Sequence, residues 1–421
     1  MRQREFWRRI NIIPDLPLKL AFAGLYAAGA IYAWSRQEEA AAFADTFPVH
    51  APLTDWIFYN LTQAYLILGG TLLVALFLYP FGRKTAEDQL QSIGFINHAG
   101  MVPRLIRKKA DREHPRVTIW EFSSQGIPLQ VWEDKALALE AVLDITIVRI
   151  KYGRSKSRIL IYAVNARSDL PDFIPWKDRY LNLESFVLTL GESFTGPVSI
   201  DLSKIPHVLL GGSTGSGKSV LLKLLLMQAL KKGAEVYISD FKGGVDFPPV
   251  WHKKCRMCFE EHDLLKLLTE LVEELELRKQ LFKKTGSPNL DAYNKTEKVH
   301  LRRLVFACDE VAEVLDKTGL SKEQKELITQ IESKLSIIAR QGRAFGIHLI
   351  LATQRPDANL IPGQIRANLG CRICGRADSI LSQIILDDAS AADQIPKEAR
   401  GRFLLHDGTV FQGYWFDEHE L

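Results

Sequence analysis

The run Gly212-Ser-Thr-Gly-Ser-Gly-Lys-Ser219 has the G-x-x-x-x-G-K-[ST] spacing of a phosphate-binding loop. Its glycines let the backbone wrap an anion so that N–H groups point inward, and a helix N-terminus just behind it favours negative charge. In this spacing Gly212, Ser213, Thr214, Gly215, Ser216 and Gly217 form the cradle. Lys218 reaches the β- and γ-phosphates, and the Ser219 hydroxyl ligates Mg²⁺. ATP and Mg²⁺ are the cofactors this chemistry needs.

A second constellation, Leu304-Val-Phe-Ala-Cys-Asp309-Glu310, is an apolar run ending in two acids. Asp309 is placed to hold Mg²⁺, and Glu310 to polarise the attacking water as general base. Burying charge is costly, so adjacent carboxylates at a buried strand end imply a use. The bland alternative is an Asp-Glu pair that opens a helix over Val311–Leu315. A third run, Ile347 to Thr353, leads into Gln354, which would sit beside the phosphates as a γ-phosphate sensor.

These residues need strands to end beside one another. Apolar runs starting at His207, Glu235, Leu304, His348 and Arg372 alternate with amphipathic helical segments. That alternation predicts a mostly parallel sheet covered on both faces. Upstream, Val117–Phe122, Ile145–Ile150 and Ile159–Val164 alternate like half-buried strands, with a helix expected over Asp134–Val142. The expected organisation is a small α/β domain at 117–170 and a motor domain at 171–421. A basic connector at 83–116 carries Arg104, Arg107, Lys108, Lys109 and Arg112.

The 421 residues are 47% hydrophobic and 25% charged, which excludes a disordered chain. Net charge is only +4, so bulk charge does not argue for a polyanionic partner. Five cysteines do not form a secreted disulfide framework. Cys255-Arg-Met-Cys258 and Cys371-Arg-Ile-Cys374 have zinc-like spacing. In a strand, however, positions three apart face opposite sides, so buried core thiols are expected instead.

The N-terminal 82 residues read as a membrane anchor with transmembrane helices at about 16–34 and 56–81. Arg2, Arg4, Arg8 and Arg9 precede the first span, and Arg83 and Lys84 follow the second. The intervening loop carries Glu38, Glu39, Asp45 and Asp55 against Arg36. This asymmetry predicts a multi-pass protein of the cell membrane with both termini and everything after Arg83 in the cytoplasm. Trp34, Trp56 and Tyr79 sit at span ends, where such rings favour the interface.

Gly211-Gly-Ser-Thr-Gly-Ser-Gly-Lys-Ser-Val220, the Phe-Ala-Cys-Asp-Glu strand end and Arg343-Ala-Phe-Gly-Ile-His-Leu-Ile-Leu-Ala-Thr-Gln-Arg-Pro356 together resemble the FtsK/SpoIIIE family of DNA translocases. Leu290-Asp-Ala-Tyr-Asn294, Ile385-Leu-Asp-Asp-Ala389 and Gly401-Arg-Phe-Leu-Leu-His-Asp-Gly408 also fit, so the resemblance covers roughly Val117 to Phe416. It implies an α/β fold in which a RecA-like P-loop NTPase motor stacks with the smaller α/β domain and assembles as a homohexameric ring. In that ring Arg343 matches an arginine finger acting on a neighbour's site, and Arg355 lies on a loop facing the DNA channel. Family members commonly have Ser-Lys-x-Asp-Ser-Arg where this chain has Gly375-Arg376-Ala-Asp-Ser-Ile380, and Arg376 stands in as a DNA contact.

No winged-helix module follows the motor before Leu421, and two spans are expected rather than four. The chain thereby resembles the coupling proteins of Gram-positive conjugative elements, which pass DNA and its relaxase to a type IV secretion-like channel. A double-stranded DNA pump for division or sporulation is the rival within the class. An ATPase of a protein secretion system is the rival from another class.

Overall fold

A computed structural model describes residues 16–36, 52–78, 85–166, 168–355, 361–418 and 421, without the side chains of 16–18, 33, 52–59, 61–62 and 78. The chain divides into two compact units, Met1–Gly94 and Phe95–Leu421.

In the first unit, helices Leu16–Ser35 and Pro52–Leu78 occupy the positions expected for spans. They pack through Tyr26 and Tyr65, whose rings stack with centroids 5.4 Å apart. The Tyr26 hydroxyl donates to the Leu66 carbonyl at 2.7 Å. A Cβ on Gly69 would come within 2.4 Å of the Tyr26 ring, so glycine permits the approach. Leu25, Ile31, Leu68 and Leu72 point outward. Among the described residues, no helix is long and apolar enough to cross a membrane. The expected orientation charges Arg2, Arg4, Arg8, Arg9, Glu38, Glu39, Asp45, Arg83 and Lys84 lie outside the described residues, as do Tyr79 and the side chains of Asp55 and Trp56.

The second unit opens with a four-stranded antiparallel sheet. Strands β1 (Arg104–Ala110), β2 (Thr118–Ser123), β3 (Ile145–Tyr152) and β4 (Arg158–Asn165) pair in the order β1-β2-β4-β3. Helices Leu129–Asp134 and Ala136–Leu143 bury Trp132 and Leu139. Trp132 packs on Phe95 and Phe122, with ring centroids 4.7 and 5.5 Å away. The one helix expected over Asp134–Val142 is a pair of helices broken at Lys135. The 83–116 connector contains the helix Ala86–Ser92 and the edge strand β1. Nearly every β1 side chain is exposed, so the apolar alternation that announces a strand is missing.

The larger sheet supplies the remaining strands: β5 (Ile174–Pro175), β6 (Val187–Ser193), β7 (Gly196–Asp201), β8 (Val208–Gly211), β9 (Glu235–Ser239), β10 (Arg256–Cys258), β11 (Leu304–Cys308), β12 (Ile347–Thr353), β13 (Cys371–Cys374), β14 (Arg402–Leu405) and β15 (Val410–Trp415). Its order is β10-β9-β11-β12-β8-β13-β14-β15-β6-β7, with β5 beside β15. The first six run parallel, as the apolar runs predicted. The antiparallel extension from β14 to β7 was not anticipated.

Helix Lys218–Lys231 packs on one face of the parallel part in a core with Val236, Ile238 and Ile350. Helices Glu261–Thr285 and Lys322–Phe345 cover the other face, burying Leu268, Leu271, Ile331 and Leu335. With both faces covered, the carboxyl edges of the strands are where polar side chains can gather.

Candidate nucleotide-binding site

Strand register brings the three constellations together. Gly211, the last residue of β8, pairs with Thr353 of β12 on one side and Cys374 of β13 on the other. Cys308 pairs with Leu351 and Ser239, so Asp309 and Asp240 follow at neighbouring strand ends. The loop Gly212–Gly217, the acids Asp309 and Glu310, Gln354 and Arg376 therefore all leave one edge of the sheet.

The loop has the backbone its glycines allow. Gly215 and Gly217 adopt φ of 76° and 97°, left-handed values that side chains disfavour. A Cβ on Gly217 would also meet the backbone of Gly401 at 3.0 Å. The Ser213 N–H donates to the Arg376 carbonyl at 2.7 Å, and the Gly401 N–H donates to the Ser216 carbonyl at 2.8 Å. The loop is thus braced from both flanks before the helix starts at Lys218.

Lys218 and Asp309 form the centre. The Lys218 ammonium donates to Asp309 Oδ1 at 2.8 Å and to the Asp309 carbonyl at 2.6 Å. The Ser219 hydroxyl donates to the same Oδ1 at 3.0 Å. Burial works to raise the Asp309 pKa, but Lys218 and Lys242 outweigh it and hold the carboxyl below its usual range. Ser219 and Asp309 offer oxygen donors side by side, which fits a Mg²⁺ ion.

Glu310 is held differently. The Thr353 hydroxyl donates to its Oε1 at 2.6 Å and the Gln354 N–H to its Oε2 at 2.9 Å. Burial raises its pKa, only partly offset by those donors. Such an environment suits a general base. The bland alternative also holds in part, since Glu310 precedes a helix over Val311–Leu315, but it makes no side-chain cap. Gln354 turns its side chain the other way, and its Oε1 accepts from the Thr214 hydroxyl at 2.9 Å. One residue therefore links the base to the phosphate loop.

Three arginines fall in different places. Arg376 donates through its guanidinium to the carbonyls of Thr214 at 2.6 Å and Lys397 at 2.7 Å. It clamps the phosphate loop, where the sequence suggested a DNA contact. Arg355 pairs with Asp316 at 3.3 Å, and residues 356–360 beyond it lie outside the described residues. Arg343 is exposed in the last turn of the helix that feeds the start of β12. The seven residues of β12 separate it from Thr353, roughly 20 Å of strand. It cannot serve the site of its own chain.

Lys242 lies in the turn that follows β9. Its ammonium lies 2.7 Å from Asp246 and 3.4 Å from Asp309 Oδ2. Nothing in the sequence pointed to the buried group behind the sheet at the opposite strand ends. There the Arg303 guanidinium donates to both oxygens of Asp291 at 2.6 and 2.8 Å and lies 3.2 Å from His348 Nε2. His207 Nδ1 accepts from the Leu349 N–H at 2.9 Å.

The sequence profile of the FtsK/SpoIIIE family matches residues 177–333. A DNA translocase FtsK from Pseudomonas syringae pv. tomato is 28% identical over 375 residues, 77% of this chain and 45% of that protein. The DNA translocase SftA of Bacillus subtilis is 34% identical over 222 residues, covering 49% of this chain and 22% of SftA. The chain thus spans less than half the length of these curated relatives. Among solved structures, the pCW3 conjugation coupling protein TcpA in a monomer form with ATPgS is similar, at 37% identity and a TM-score of 0.60. That match covers 80% of this chain and 95% of TcpA's.

Proposed function

This chain belongs to the FtsK/SpoIIIE family of ATPases, and on that premise we propose that it hydrolyses ATP to move DNA as a membrane-anchored conjugative coupling protein. The observation that carries the enzymatic part is the meeting of Lys218, Ser219 and Asp309 at one strand edge. Likeness to TcpA over nearly all of that protein's chain supports the coupling role.

In this reading the N–H groups of Gly212–Gly217 and the Lys218 ammonium hold the phosphates. Ser219 and Asp309 hold Mg²⁺, which would neutralise charge developing on the phosphates. Glu310 accepts a proton from the attacking water, and Gln354 senses the γ-phosphate through its place between Glu310 and Thr214. Arg343, remote from its own loop, reaches a neighbour's site in a hexameric ring. Arg355 faces the channel for DNA. The apolar N-terminal runs at about 16–34 and 56–81, with the charges that flank them in the sequence, support an anchor of the ring in the cell membrane that leaves the motor in the cytoplasm beside a relaxase and a secretion channel.

Similarity to FtsK over 77% of this chain favours a second reading, a pump for double-stranded DNA. Phosphate release by the purified full chain decides between them. Stimulation by single-stranded DNA supports coupling, and stimulation by duplex alone supports the pump. If neither DNA changes the rate, both readings fail.

A further inference from the structure

Asp309 meets more cations than a metal ligand needs. Its Oδ1 is engaged by Lys218 at 2.8 Å and Ser219 at 3.0 Å, and its Oδ2 faces the Lys242 ammonium at 3.4 Å. Lys242 is 40% exposed, so it approaches from the solvent side, the side from which a metal-bound nucleotide must also enter.

The segment carrying Lys242 is built to hold it there and to let it go. Asp240 sits at the end of β9, and its Oδ1 accepts the Lys242 N–H at 3.0 Å, fixing the turn. Phe247 is fully buried, with its ring 5.6 Å from that of Trp251, and its carbonyl lies 3.0 Å from His252 Nε2. Between these anchors, Gly243 and Gly244 adopt φ of 72° and 85° and leave Val245 exposed. Asp246 offers a second carboxylate to the same ammonium at 2.7 Å.

A hydrated divalent ion beside Asp309 and an ammonium at its Oδ2 repel each other at such separations. We propose that Lys242, shared between Asp246 and Asp309, is a resident counter-ion of Asp309 that competes with the metal for Oδ2 and is left to Asp246 alone when metal-bound nucleotide enters. Lys242 then occupies the metal's place beside Oδ2 until metal-bound nucleotide displaces it. This rests on the nucleotide reading of the site.

The test titrates Mg²⁺ against binding of a fluorescent ATP analogue to the full chain. Removing a competitor should tighten the metal, so Lys242→Ala lowers the Mg²⁺ midpoint about two- to fivefold, the range for one partly exposed ion pair. Lys242→Arg keeps the charge and should retain the wild-type midpoint. Thermal melting of each variant reports that the fold is intact. A midpoint in Lys242→Ala that is unchanged or higher overturns the proposal, the higher value marking Lys242 as a phosphate ligand instead. A wild-type chain that binds no analogue at any Mg²⁺ concentration sinks the nucleotide reading rather than this one.

Discussion

Lys218 and Asp309, 91 residues apart in the chain, share two hydrogen bonds, from the ammonium to Oδ1 and to the Asp309 carbonyl. Both side chains are almost wholly buried. Breaking such a pair leaves a carboxylate with too few donors in a poorly solvated place. Lys218→Ala should therefore cost about 3 kcal/mol of stability as well as abolish turnover. Urea unfolding and phosphate release, run on one preparation, check both halves.

Glu310 separates binding from chemistry. Glu310→Gln keeps a side chain of the same shape near Thr353 and Gln354 but cannot take a proton. Nucleotide affinity should stay near wild type while the rate falls at least about a hundredfold, the usual contribution of a general base. A variant that turns over at the wild-type rate would remove Glu310 from the reaction.

Arg376 tests the phosphate loop's brace. Its guanidinium holds the carbonyls of Thr214 and Lys397. Losing hydrogen bonds from a charged donor costs about 1.5 to 3 kcal/mol, so Arg376→Ala should weaken ATP binding by about tenfold or more. Equilibrium binding without DNA is the measurement. If affinity is unchanged and only DNA binding suffers, the sequence expectation was the right one.

His207 and His348 give the fold a pH dependence. Burial lowers the His207 pKa to about 4, and burial followed by the nearby Arg303 charge lowers that of His348 well below its ordinary value. Unfolded histidine titrates near 6.5, so between roughly pH 6.5 and 4 the unfolded chain binds protons that the folded chain refuses. Stability should be full above that window and fall as pH drops through it, by about 3 kcal/mol for His207 alone. Asp309, with its lowered pKa, adds loss only below about pH 4, as its unfolded form protonates. Urea midpoints across this range should show the slope, and His207→Gln should flatten it.

Arg343 predicts complementation. Mixing Arg343→Ala with Lys218→Ala, each inactive alone, should restore part of the turnover if the arginine works on a neighbour's site. No recovery at any mixing ratio would mean the residue has no role across a subunit boundary.

The sequence by itself determined the nucleotide chemistry and the parallel core. Phosphate binding needs glycines, a lysine and a hydroxyl at fixed spacing, and buried strands need unbroken apolar runs; both are local properties. It missed β1, because an edge strand of exposed basic residues carries no apolar alternation. It could not place Arg376, Lys242 or Thr353 beside their partners, which lie 162, 67 and 43 residues away. Only strand register decides such contacts. The order in which β9, β11, β12, β8 and β13 lie side by side chooses which loop tips share an edge, and that order is a property of the whole sheet.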